Sequence, residues 1–138
     1  MTPIYVLDSW AVLAYLKKET PADLRVRDLL EQAGQGKARL LLSLINLGEI
    51  YYTVGRARGA KFAESILAEM RLLPIEILPV DEGTVFAAAR WKVKHAISYA
   101  DAFAVATAEQ NQAVLLTGDP ELLGMRTGPR IERLQRLG

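Results

Sequence analysis

The chain has 138 residues, enough for one domain with a core that needs no staples. Hydrophobic residues make up 51% and charged residues 24%, and there is no cysteine, which excludes disulfides, thiolate zinc sites, iron–sulfur clusters and thiol nucleophiles. The formal net charge is only +1, so the molecule is no polycation, and any contact with nucleic acid must come from local basic patches.

The first eight residues, Met-Thr-Pro-Ile-Tyr-Val-Leu-Asp, lack the basic region and long apolar stretch of a signal peptide. No run is long enough to cross a membrane, so the expectation is a soluble, cytoplasmic protein. There is no repeat, low-complexity tract or linker, and residues 1–138 read as a single domain.

Ile4-Tyr5-Val6-Leu7 reads as a buried strand, followed by Asp8, Ser9 and a helical pattern from Trp10 to Lys18. Thr20-Pro21-Ala22-Asp23 reads as a helix start, with Pro at the first helical position and an acid in the first turn. That helix should end near Gly34 or Gly36. Leu40-Leu41-Leu42 is the second strand, with Ser43 as the next cap. A helix follows to about Arg58, stopped by Gly59, and another covers roughly Ala60 to Leu73. Ile75 to Val80 is the third strand, despite Pro79 near its end. Helices then run from Asp81 to about His95 and from Ser98 to about Gln112. Ala113 to Thr117 is the fourth strand, and Gly118-Asp119-Pro120 turns into a short helix. Residues near Arg130 to Leu134 can add one edge strand. Strands alternating with helices predict an α/β fold with a mostly parallel sheet, whose ligands sit beyond the carboxyl ends of the strands.

The chemistry narrows by elimination. His95 is the only histidine, so a two-histidine ribonuclease mechanism is impossible. There is no G-x-S-x-G elbow, no phosphate-binding Walker loop, and no G-x-G-x-x-G after the first strand. Catalysis would rest on carboxylates, hydroxyls, Lys or Arg, with a metal.

Asp8 follows the first strand directly, and Asp119 follows the fourth, after Thr117 and Gly118. Both fall where an α/β site belongs. Each also reads as a helix N-cap, and one carboxylate can fill both roles. Asp101 closes a capping box, Ser98-Tyr99-Ala100-Asp101, so a structural role is open to it too. It shares a helical stripe with Val105 and Ala108, flanked by Ala104, and should therefore point at packed surface. An inward acid needs a partner, and a cation is one solution. Asp23, in a segment of the same form, is assigned no function. Glu49 lies mid-helix among Ile45, Asn46 and Tyr52, at the border of apolar and polar faces. By itself it reads as a solvated helix Glu. Gathered acids without Cys or His suit Mg²⁺ or Mn²⁺, hard ions that take oxygen ligands. Phosphodiester hydrolysis is the natural reaction of such a site.

Four segments carry a resemblance: Ile4 to Ser9, Ser43 through Glu49, Tyr99 to Ala106, and Leu115 to Leu122. In this order and spacing, over essentially the whole length, they are similar to PIN-domain proteins, and among these to the VapC-like toxins of toxin–antitoxin pairs. The resemblance implies a PIN-like three-layer α/β/α domain with a small, mostly parallel twisted sheet of four to five strands. It implies that Asp8, Glu49, Asp101 and Asp119 surround one or two Mg²⁺ or Mn²⁺ ions, with supporting polar roles for Thr117 and Ser9. It further implies an endoribonuclease that cuts RNA with a metal-activated water, a homodimer, and a cognate antitoxin covering the active-site groove. A PIN nuclease of RNA processing that is not a toxin is an alternative, as is a non-catalytic RNA- or protein-binding module. All four acids are present, which argues against the module.

Other metal-plus-acid folds fit less well. A haloacid-type phosphatase wants a second Asp two residues after the first, where Trp10 stands. A receiver domain wants adjacent acids at one early strand end and a late Lys after a strand, and neither is found. Basic residues cluster at Arg56, Arg58 and Lys61, at Arg90, Lys92 and Lys94, and at Arg126, Arg130, Arg133 and Arg136. Each cluster reads as an RNA-positioning patch or as a solvated face. Trp10, Tyr51 and Tyr52 read mostly as core, with a dimer or antitoxin groove as the alternative.

Overall fold

The structure is a computed structural model and describes residues 2–137. The elements in chain order are β1 (Ile4–Leu7), α1 (Ser9–Leu16), α2 (Ala22–Gly34), β2 (Arg39–Ser43), α3 (Leu44–Arg58), α4 (Ala60–Leu72), β3 (Glu76–Leu78), α5 (Glu82–Lys94), α6 (Tyr99–Gln110), β4 (Val114–Thr117), α7 (Pro120–Leu123) and β5 (Ile131–Arg133). The five strands form one sheet in the order β3-β2-β1-β4-β5, every pair parallel. The sheet is thus wholly parallel, and the terminal segment does supply its edge strand.

Strand side chains alternate between two packed layers, as the pleat requires. Leu7, Leu40, Leu42 and Leu116 pack with α1, α2, α3 and α4. Val6, Leu41 and Leu115 pack with α5 and α6. A strand covered on both faces must be apolar at every position, which is why Ile4–Leu7 and Leu40–Leu42 show no polar alternation.

The strand expected over Ile75–Val80 shrinks to Glu76–Leu78. Pro79 lacks the N–H that would continue the ladder, and the strand stops before it. The second helix begins at Ala22, one residue later than expected. Pro21 is its N-cap, and no side chain satisfies that end. Gly59, with φ of 92°, separates α3 from α4, a conformation that favours glycine. Of the three aromatics left between core and surface, Tyr52 falls on the surface side. Its ring is half exposed and carries the Arg56 guanidinium 5.0 Å from its centroid. Trp10 is half-buried against the α1–α4 layer, and Tyr51, also half-buried, donates to Glu64 Oε1 at 2.9 Å.

Because all strands run the same way, their carboxyl ends share one edge. The N-termini of α1, α3 and α7 start there directly, capped by Asp8, Ser43 and Asp119. None of the helices among the described residues is long and apolar enough to cross a membrane.

Candidate active site

Asp8 leaves β1 with extended backbone and caps α1. Its Oδ1 accepts from the Ala11 N–H at 2.8 Å. Its Oδ2 accepts from the Thr117 hydroxyl, and Thr117 Oγ1 in turn accepts from the Asp119 N–H at 3.0 Å. Asp119 caps α7 through an N–H from Glu121 at 2.8 Å. Cap and site are therefore one arrangement. The backbone donors that hold these carboxylates are the unpaired N–H groups at helix starts.

Asp101 lies in the first turn of α6, where Ser98 Oγ accepts its N–H at 3.1 Å. It is 7% exposed, as an inward acid should be, but the reason differs from the one expected. Every residue from Asp101 to Ala108 is buried, so this part of α6 has no solvent face. Burial follows from the helix being enclosed against the sheet by α3 and α5, made possible by its small alanines.

The acids meet at the strand-end edge. Carboxylate oxygens of Asp101, Asp119 and Glu121 lie within 4.8 Å of one another. Asp8 and Glu49 lie outside that trio but within its field. Burial pushes the Asp8 carboxyl up to about 8; the Thr117 and Ala11 hydrogen bonds oppose this, and the charges of Asp101 and Asp119 add to it. Burial pushes Asp101 up to about 7. The Asp119 charge adds most to it, then Glu49 and Glu121, against the Ser98 contact. Glu49 is half-buried on α3, at the border position expected.

Ser9 does not face the acids through a direct contact. Its hydroxyl donates to the Asn46 backbone carbonyl at 3.2 Å and accepts from Asn46 Nδ2 at 3.4 Å. Asn46 Nδ2 also donates to the Ala100 carbonyl at 3.1 Å. Asn46 is fully buried and bridges α1 to α6 at the residues next to Asp8 and Asp101. Its Oδ1 is buried without a partner.

Sequence reasoning assigned no role to Asn46 or Glu121. The signal for Asn46 was a polar residue one helical turn before Glu49. For Glu121 it was a second acid two residues beyond Asp119. Gly118, between Thr117 and Asp119, lies against the Trp10 ring, and a Cβ there would stand 2.3 Å from it.

The donor set suits a hard divalent cation. It is all carboxylate and hydroxyl oxygen, with no thiolate or imidazole. Two of its carboxyls are held away from ionisation in the absence of a countercharge. A bound cation would supply that countercharge.

Comparison with known proteins places the fold and the family. No curated protein matches the sequence. Among solved structures, VapBC2 from Rickettsia felis, bound to a DNA fragment from its promoter, superposes with a TM-score of 0.72 at 19% identity, over 96% of this chain and 99% of that one. DNA-bound VapBC from Salmonella typhimurium gives 0.72 at 18% identity, over 96% and 98%. VapC20 from Mycobacterium tuberculosis, a sarcin–ricin loop cleaving toxin, gives 0.64 at 19% identity, over 91% and 99%. At such identities these likenesses show the fold. The PIN domain profile matches residues 5–126, from the strand that delivers Asp8 to beyond the helix that Asp119 caps, and on that match the chain belongs to the PIN domain family.

Proposed function

We propose that this single PIN domain is a divalent-metal-dependent endoribonuclease, the toxin of a toxin–antitoxin pair. The observation that carries the reading is the meeting of Asp101, Asp119 and Glu121 within 4.8 Å, with Asp8 and Glu49 coupled to them, at the carboxyl edge of a parallel sheet. Like charges at this separation repel unless a proton or cation intervenes.

Asp8, Glu49, Asp101 and Asp119 would hold Mg²⁺ or Mn²⁺, with Glu121 at the rim. The chemistry a divalent ion supplies when bound is charge neutralisation on phosphate oxygens and acidification of water. The chain's own residues do the rest. Thr117 fixes Asp8 and the Asp119 backbone through one hydroxyl, so two ligands move together. Asn46 holds the start of α1 to α6, setting the gap between Asp8 and Asp101. With no cation bound, Asp8 and Asp101 retain protons near neutral pH, which limits the repulsion. In hydrolysis a bond forms between water oxygen and phosphorus, and the bond from phosphorus to a ribose oxygen breaks.

The toxin reading is supported by the structural neighbours, several of which are VapBC complexes with an antitoxin. It carries with it a cytoplasmic homodimer neutralised by an antitoxin segment. The test is cleavage of a mixed RNA pool by purified protein, with Mn²⁺, Mg²⁺ or EDTA, beside Asp101→Asn. Metal-dependent cleavage lost in the variant supports the reading. Equal cleavage by the variant, or none by the parent, overturns it.

A further inference from the structure

Beside Asp119 lies an open cleft of about 590 Å³, lined by Trp10, Gly118, Leu123, Arg133 and Arg136 among others. Among the described residues, none that lines it is acidic. It adjoins the acid cluster through the chain itself, because Gly118 and Pro120, on either side of Asp119, both form its wall. From the other side, Arg133 at the end of β5 pairs in register with Thr117, and the Leu134 N–H donates to the Thr117 carbonyl at 2.8 Å. The cleft is therefore one strand over from the hydroxyl that holds Asp8.

Its charge is opposite to that of the site. Among the described residues, Arg133 has no carboxylate within ion-pair distance, whereas Arg39 and Arg136 each have one and Arg25 has two. Arg136 engages Glu19 at 3.2 Å through Nη1 alone, and its guanidinium sits 5.3 Å from the centroid of the Trp10 ring. The missing side chain of Gly118 leaves room for the indole to pack against the β4–α7 turn, so the cleft has an aromatic wall. An acidic site repels a polyanion. A substrate phosphate chain approaching it needs cations placed next to the acids, not among them. Two guanidiniums and an indole are the groups that hold a single-stranded nucleotide, by phosphate contact and by stacking.

We propose that this cleft holds a nucleotide of the RNA strand adjacent to the scissile phosphodiester, its phosphate on Arg133 and Arg136 and its base against Trp10. This rests on the nuclease reading above. Arg133 and Arg136 are positioning residues that fix the register of the strand over the acids.

The test uses the Asp101→Asn, Trp91→Phe chain with Mg²⁺, which leaves Trp10 as the only tryptophan. The probe is a fluorescein-labelled, mixed-sequence single-stranded RNA of about ten nucleotides. Anisotropy reads affinity against salt, and unlabelled RNA reads quenching of Trp10. Arg133→Ala is expected to weaken binding about three- to tenfold and to lower the salt slope by about one. Lys37→Ala, at the opposite edge of the sheet, should change neither, and RNA should quench Trp10. Binding by Arg133→Ala as tight and as salt-sensitive as the parent's overturns the subsite while leaving the nuclease reading standing. An equal loss in Lys37→Ala overturns it too, since binding is then diffuse. A parent that binds no RNA overturns the nuclease reading and the subsite together.

Discussion

Thr117 donates its hydroxyl to Asp8 Oδ2 and accepts the backbone N–H of Asp119 on the same oxygen. One side chain thereby couples the ends of β1 and β4, each of which delivers a carboxylate to the site. Val is close to Thr in shape but has no hydroxyl. Thr117→Val should leave Asp8 short of a donor and the Asp119 turn loose. The expected loss of metal-dependent cleavage is about 10- to 100-fold, the range seen when groups that orient metal ligands are removed. Thr117→Ser should restore most of it. The check is kcat and the Mn²⁺ concentration for half-maximal rate in both variants. A Thr117→Val enzyme as active as the parent would show that the bridge does not set the ligand geometry.

Asp8 and Asp101 make the metal-free protein sensitive to pH in a defined direction. Their folded pKa values, about 8 and about 7, lie above the ordinary 3.8. Between pH about 4 and about 8 the folded state holds more protons than the unfolded state, so stability falls as pH rises. The stabilising contribution is complete below the ordinary pKa and lost as pH passes through 7 to 8. Melting of EDTA-treated protein should therefore occur at lower temperature at pH 8 than at pH 5. Mn²⁺ should raise the melting temperature most at pH 8. Asp101→Asn should flatten the pH profile and melt at least as high as the parent at pH 8. A profile that rises with pH would remove the burial argument.

Much of this arrangement is legible in the chain, and the remainder fails for physical reasons. Strands such as Ile4–Leu7 announce themselves because both faces are covered, and the residue that ends each one is a capping acid or hydroxyl. Asp8 and Asp119 could be singled out because cap positions at strand ends are also ligand positions in a parallel sheet, and Asp101 because it is a first-turn acid on a packed helical stripe. The meeting of Glu121 with Asp101 depends on where β4 ends beside α6, a relation between residues distant in sequence that no local pattern encodes. The Asn46 bridge is hidden for the same reason. Asp101 illustrates a right placement for an incomplete reason: the stripe with Val105 and Ala108 predicts a buried face, while α6 there is buried all round. Tyr52, left open between core and surface, takes the surface, where an arginine rather than core lies over its ring.

Asn46 should matter more to stability than an ordinary helix asparagine. It satisfies Ser9 and the Ala100 carbonyl at once, and it is fully buried. Asn46→Leu would take the side-chain donor from the Ala100 carbonyl, at a cost of about 1–3 kcal/mol, while the Ser9 hydroxyl would keep its bond to the backbone carbonyl of residue 46. Urea unfolding of the metal-free variant should show a midpoint shift without a change in slope. Asn46→Ala should lose less, because the space admits water to the freed carbonyl. Equal midpoints for parent and Asn46→Leu would mean that the bridge contributes nothing to the junction of α1 and α6.

Gly118 is fixed by contact rather than by backbone strain. A methyl at this position would stand 2.3 Å from the Trp10 ring, so the ring or the β4–α7 turn must move. Gly118→Ala should cost about 1–3 kcal/mol, the range for overpacking a filled site. Since Asp119 follows directly, cleavage should fall along with stability. The cause can be isolated by a double-mutant cycle with Trp10→Leu, which removes the ring that the methyl meets. If the contact is responsible, the loss from Gly118→Ala should shrink by more than about 0.5 kcal/mol in the Trp10→Leu background. Additive losses would assign the effect to the turn itself and leave the indole without a part in placing Asp119.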